Sequence, residues 1–197
     1  MLEWTRIARL SEDQVVSLGF AHFKLSVDQY QQMITTGILT ENDRVELIRG
    51  ELLDKMPIGD IHVEVVNRLS RKFARLLDDA VTVSVQNPLV LADSEPEPDL
   101  VLFTRQAGGK PRASDVHLVV EVADSSLEFD RTVKLPLYAQ SGIRELWIVN
   151  LIDSQVEVYR KPQLNGTFAD AKILTRNDAA QPAAFPSVSL SVSEILP

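Results

Sequence analysis

The chain contains no cysteine. Disulfides and thiolate metal sites are therefore excluded, and a reducing compartment such as the cytoplasm is the expected location. Histidine is almost as scarce: three in 197 residues, with no His-x-x-x-His pair, which disfavours a zinc hydrolase. No apolar run approaches the roughly 20 residues that span a bilayer, so no membrane partner is expected. The N-terminus, Met1-Leu2-Glu3-Trp4-Thr5-Arg6, has no cationic stretch leading into an apolar one, and no secretion signal is expected from it. Positive charge is also short, with 20 Lys and Arg against 28 Asp and Glu, a formal net charge of −8. A passive nucleic-acid coat should be basic, because its affinity comes largely from neutralising phosphates. That class is disfavoured. A nuclease is not, since metal-binding carboxylates add negative charge that an ion offsets.

What is present is enough apolar material, 45% of residues, for one domain over 1–197. Residues 1–24 read as an N-terminal arm, 26–161 as the core and 162–197 as a Pro-, Asn- and Ala-rich C-terminal extension with a possible strand near 171–175. Ser26 and Gln29 form a capping-box pattern before a first helix whose apolar stripe is Tyr30, Met33 and Ile34, with Gly37 at its end. Two short strands flank a turn at Gly50. Residues 61–78 read as a second helix with Val65, Val66, Leu69, Phe73 and Leu76 on one side. Arg68, Arg71, Lys72 and Arg75 fall together elsewhere on that helix, within about an 80° sector. This is the densest positive patch in an acidic chain. It suits either a DNA-backbone contact or, the reading favoured here, a solvated face.

Strand signals follow at 81–91, 100–103, 117–122, 145–151 and 155–160. A helical stretch at about 130–141, ended by Gly142, lies between the third and fourth. Segment 117–151 is thus a strand–helix–strand crossover, which predicts a parallel pair inside a mixed sheet. The fold class is α/β or α+β, with a central mixed sheet flanked by helices.

Glu121 is a lone carboxylate in the apolar run Leu118-Val119-Val120-Glu121-Val122. A charge in a dry strand costs several kcal/mol unless it is paired or binds a metal. Alternation puts it on the face of Val119 and Ala123, opposite Val120 and Val122. An outward-facing residue of an edge strand is the bland alternative. Asp99, in Pro96-Glu97-Pro98-Asp99, opens the next apolar strand, or is simply a turn aspartate. Asp130, Lys134 and Tyr138 stand at i, i+4 and i+8 on one helix face. They form either a surface pair or a lysine reaching back to the sheet carboxylates. Pro136 removes a hydrogen bond there, which predicts a kink or a late helix start. Glu46, between Val45 and Leu47, sits in a short strand. His62 points inward from the start of the second helix; it reads more readily as a satisfied core histidine than as a phosphate or water contact.

In order and spacing these residues resemble the PD-(D/E)XK nuclease superfamily, and more closely its Uma-two family of restriction-endonuclease-like proteins. The text that carries the resemblance is Val45-Glu46-Leu47-Ile48-Arg49-Gly50-Glu51-Leu52, Met56 with His62, Pro98-Asp99, Val119-Val120-Glu121-Val122, Asp130 through Lys134 to Tyr138, and Gly142-Ile143-Arg144-Glu145-Leu146-Trp147-Ile148-Val149. It spans about 26–196. It implies a restriction-endonuclease-like core and hydrolysis of DNA phosphodiesters. Asp99, Glu121 and the backbone carbonyl of Val122 would hold Mg2+ or Mn2+, with Glu46 facing the site. The usual lysine two positions after the glutamate is replaced here by Ala123, and Lys134 takes its place, steadied by Asp130. Family members often read Ser-Pro-Ser-Thr after the strand, where this chain has Asp124-Ser125-Ser126-Leu127. The resemblance also implies a homodimer. An inactive nuclease-fold module for binding or assembly is the alternative.

Overall fold

A computed structural model describes residues 21–40, 42–104 and 109–197. Most of the expected N-terminal arm lies outside them. In chain order the elements are α1 (Val27–Thr35), β1 (Val45–Ile48), β2 (Glu51–Asp54), α2 (Asp60–Leu76), β3 (Val81–Val85), β4 (Leu100–Thr104) and β5 (Val116–Ala123). A helical segment α3 (127–140) follows, then β6 (Glu145–Asn150), β7 (Gln155–Pro162), β8 (Phe168–Leu174), the short strands β9 (Ala179–Ala180) and β10 (Leu190–Ser191), and α4 (Val192–Ile195).

Local chemistry explains the first elements. The Ser26 side chain accepts from the Gln29 N–H while the Gln29 side chain accepts from the Ser26 N–H, closing the expected capping box. Strands β1 and β2 pair around Arg49 and Gly50, whose φ angles of 51° and 79° are both positive, as a two-residue primed hairpin turn requires. A side chain at Gly50 would also meet the Lys24 Cβ at 2.8 Å.

The central sheet has six strands in the order β3-β4-β5-β6-β7-β8. Only β5 and β6 are parallel, joined by α3 as the crossover pattern predicts. The β5 side chains divide as alternation requires. Val120 and Val122 enter a core with Val65, Val66, Leu69 and Phe73 of α2, which residues Val188 to Leu196 complete. Val119 and Ala123 enter a second core on the opposite face, beneath Leu137 and Tyr138 of α3.

Four boundaries differ from expectation. Strand β3 ends at Val85 rather than near 91: Gln86 has φ 48°, which breaks extended geometry, and Pro88 lacks a donor. Leu76, expected within the apolar side of α2, is exposed at the last helical position, past the final buried residue Phe73. Helix α3 starts at Leu127 instead of 130, and its middle, Asp130–Lys134, is a π-turn between the α-helical stretches Leu127–Phe129 and Leu135–Gln140. Pro136 accounts for this. Its ring would clash with the carbonyl four residues back, and the wider π-turn, closed by the Leu135 N–H on the Asp130 carbonyl, makes room for it. Finally, segment 162–197 is no appendage, since it supplies β8 and part of the α2-side core. Among the described residues no helix is long and apolar enough to cross a membrane.

Candidate active site

Glu121 is 3% exposed and points to the α3 side of the sheet. Its Oε1 accepts from Tyr138 Oη at 2.6 Å and from Lys134 Nζ at 3.2 Å. The two donors are one helical turn apart in α3, so the crossover helix places both above the strand it follows. Among the described residues the opposite oxygen, Oε2, takes only a long contact of 3.4 Å from the Asp99 N–H.

Asp99 precedes β4 and faces β5 just past the last β4–β5 pair, Leu100 with Val120. The ladder therefore leaves the Val122 N–H unpaired by backbone, and Asp99 Oδ2 accepts it at 2.8 Å. The same oxygen lies 2.9 Å from His62 Nε2, while Oδ1 has only Gln86 Nε2 at 3.4 Å. His62 is thus a buried histidine at the start of α2, as its inward direction predicts, but it is bound to a site carboxylate, and its Nδ1 has no partner among the described residues.

Two further carboxylates close on the lysine. Glu46 Oε1 lies 3.8 Å from Lys134 Nζ, and its Oε2 accepts the Glu97 N–H at 3.1 Å. Asp130, buried at the start of the π-turn, accepts from Ser126 Oγ at 2.8 Å. Two buried carboxylates, Glu121 and Glu46, thus lie 3.2 and 3.8 Å from the ammonium, and Asp99 and Asp130 add their charge from farther off. Burial pushes the Glu121 carboxyl up to about 8; Lys134 pulls against this, while Asp130 and Asp99 add to it. Burial and its acidic neighbours likewise raise Asp130. Burial opposes the charge on Lys134, but Glu121, Glu46, Asp130 and Asp99 outweigh it and hold the ammonium above the ordinary lysine value.

The cluster forms the floor of a cleft of about 850 Å³, walled by α1, the β2–α2 connection and residues 124–130. Asp99, Glu121, Val122, Lys134, Glu46, Asp130 and His62 all line it, and Tyr138 supports it from beneath. The basic stripe does not reach it. Arg68 donates to the carbonyl of Leu196 at 2.8 Å, Lys72 pairs with Glu194 at 3.3 Å, and Arg71 and Arg75 are exposed elsewhere on α2. Two polar residues were not anticipated, Gln86 and Ser126. For Gln86 the Gln-Asn-Pro turn signature was the available signal. Ser126 carried none, because its role depends on where α3 begins.

The donor set fits a divalent cation. Carboxyl groups outnumber cationic ones in a buried cluster, and the least engaged oxygens are Glu121 Oε2 and Asp99 Oδ1. Hard oxygen donors with room for waters suit Mg2+ or Mn2+. Among the described residues no group of three or more Asp, Glu or His side chains that could hold a metal ion is present; the cleft offers the two carboxylates of Asp99 and Glu121 alone.

Solved structures include a similar chain, a crystal structure of a putative nuclease of the DUF820 group from Anabaena variabilis. It aligns with a TM-score of 0.68 at 14% identity, covering 87% of this chain and 97% of that one, which establishes a shared fold. No curated protein matches the chain. The model of the Uma2 family, described as a putative restriction endonuclease, matches residues 27–193. With that match running through both faces of the sheet and every residue of the cleft floor, the chain belongs to the Uma2 family.

Proposed function

We propose that the protein is a divalent-metal-dependent endonuclease that hydrolyses DNA phosphodiester bonds. One observation carries this reading: Asp99 and Glu121, each with an underused oxygen, face an open cleft beside a buried lysine that lies 3.2 Å from Glu121 and 3.8 Å from Glu46. The Val122 carbonyl leaves β5 on the same side as its N–H, toward Asp99 and beyond the end of β4, so it can serve as a third oxygen donor. A bound Mg2+ or Mn2+ would polarise the scissile phosphate and acidify a coordinated water.

The chain's own groups do the rest. Tyr138 and Lys134 fix Glu121 through one oxygen and leave the other directed at the cleft. His62 and the Val122 N–H do the same for Asp99. Outer hydrogen bonds of this kind set the direction and basicity of metal-binding carboxylates. Lys134, whose ammonium the neighbouring carboxylates favour, can donate to a phosphate oxygen as negative charge develops on it. Glu46 and Asp130 keep the lysine ionised. A homodimer would present two such clefts to a duplex.

The test is a cleavage assay on single-stranded, duplex and branched DNA with Mg2+ and Mn2+, beside Asp99→Ala and Glu121→Ala. Cutting that needs both the metal and the two carboxylates supports the reading. If the metal raises the melting temperature of the wild type but no DNA is cut, the inactive binding module takes its place.

A further inference from the structure

The chain holds buried carboxylates that the proposed chemistry does not use, and one of them stands in line with Glu121. Glu157 of β7 is 2% exposed. It pairs with Ile148 of β6, which in turn pairs with Glu121 of β5, so the two glutamates stand on one row of the sheet. They lie two strands apart, about 10 Å, and on the same face. Both reach the same helix. Glu121 takes Lys134 and Tyr138, while Glu157 takes Arg131 through both its oxygens. Arg131 and Lys134 are both within the π-turn Asp130–Lys134.

Glu157 is itself held from several sides. Asn150 Nδ2 donates to its Oε1 at 2.9 Å and Tyr159 Oη to its Oε2 at 2.7 Å. These bonds, with Arg131, outweigh burial and keep the carboxyl below the usual glutamate range. Arg131 also stays partly open to solvent and, among the described residues, is not one of those that line the cleft. A π-turn is a soft point in a helix, because its wider ring permits more than one rotation of the following residues. A planar guanidinium held by both carboxylate oxygens fixes that rotation more tightly than a single contact can.

We infer that Glu157 and Arg131 are positioning residues: their two-point contact sets the rotation of the π-turn and thereby delivers Lys134 to Glu121. This rests on the nuclease reading only for its effect on rate; the geometric consequence stands apart from it.

The experiment uses the full chain carrying Glu157→Gln, Arg131→Ala or Arg131→Lys. Val158→Ala is the control: Val158 is next to Glu157 on β7 but points into the opposite core, so it destabilises without touching α3. In crystal structures of Glu157→Gln and Arg131→Ala, Lys134 Nζ is expected beyond hydrogen-bond reach of Glu121, more than about 3.5 Å. Turnover at saturating oligonucleotide should fall about 10- to 100-fold with KM within about twofold. Arg131→Lys should recover only part of the rate, since it keeps the charge and loses the fork. An unmoved Lys134 in the Glu157→Gln structure overturns the inference. So does a rate loss no larger than that of Val158→Ala at matched stability. If Lys134 moves but the wild type cuts no DNA, the inference stands and the nuclease reading falls.

Discussion

Strand β5 sends Val120 and Val122 to one face of the sheet and Glu121 to the other, and the two faces are covered in different ways. Over Val120 and Val122 lie Val65, Val66, Leu69 and Phe73 of α2 and apolar side chains of the segment from Val188 to Leu196. Over Glu121 lies α3, which brings Lys134, Tyr138 and Arg131 down among its leucines. A buried charge is therefore tolerated where partners are supplied: Glu121 finds them on α3, and Glu145 of β6, on the α2 side of the sheet, finds them in Trp147 and Arg160 rather than in α2. The same strand backbone, one residue along, changes from a hydrophobic wall to a proposed site.

The most severe way to break this comparison is Val120→Glu, which puts a carboxylate among the apolar side chains of α2 and the C-terminal segment. A loss on the order of 3–5 kcal/mol is expected from the urea midpoint. A loss under about 1 kcal/mol would show that the α2 face is not dry.

Next in size is the pH response of the metal-free protein. Glu121 is raised from an ordinary 4.5 to about 8, and Asp130 is raised as well. A carboxyl raised on folding contributes stability that is complete below its unfolded value and is lost as pH climbs through the folded one. Metal-free stability should therefore decline between about pH 4.5 and 8, by a few kcal/mol. The lysine contribution stays constant there, since its folded value lies above the ordinary 10.5. Glu121→Gln should flatten the slope, and saturating Mg2+ should reverse it by binding the ionised form. Urea midpoints across that range, with and without Mg2+, check this; a slope unchanged in Glu121→Gln assigns it to another group.

Tyr138→Phe sharpens the same contrast with one atom. It leaves Glu121 Oε1 short of its 2.6 Å partner inside the core, at a cost of about 1–3 kcal/mol by thermal denaturation. An effect near zero would mean that Lys134 or water takes over the contact.

The smallest difference lies within the basic stripe of α2. Arg68→Ala removes the bond to the Leu196 carbonyl and should cost about 1 kcal/mol. Arg71→Ala and Arg75→Ala, at exposed positions, should each stay within about 0.5 kcal/mol. Equal effects in all three would contradict the docking of the stripe's inner edge on the C-terminal segment.

Much of the site was legible because its signals are local. Alternation assigned Glu121 to the face of Val119, helical spacing aligned Asp130, Lys134 and Tyr138, and the apolar run after Asp99 placed it at a strand start. The crossover between residues 117 and 151 followed from the same patterns. What escaped depends on contacts between distant segments. Nothing near Glu157 marks it as lying in the row of Glu121, because that row exists only after β5, β6 and β7 pair. The stripe of Arg68 and Lys72 looks free along α2 and is half occupied by residues 194–196. Pro136 signalled a helix irregularity but not its form, since a kink, a late start and a π-turn all relieve the same clash.

The bond from Arg68 to Leu196 joins residues 128 positions apart in the chain. It marks a core whose two halves must find each other across almost the entire domain. Closing so long a loop costs entropy before any contact repays it, and topologies of this kind fold slowly. The hairpin and the capped helices can form early, whereas the α2 face of the sheet stays open until residues 188–196 return to it. During that interval the exposed surface is Phe73, Leu69 and the valines of β5, so the route to aggregation runs through the inert face and not through the charged one.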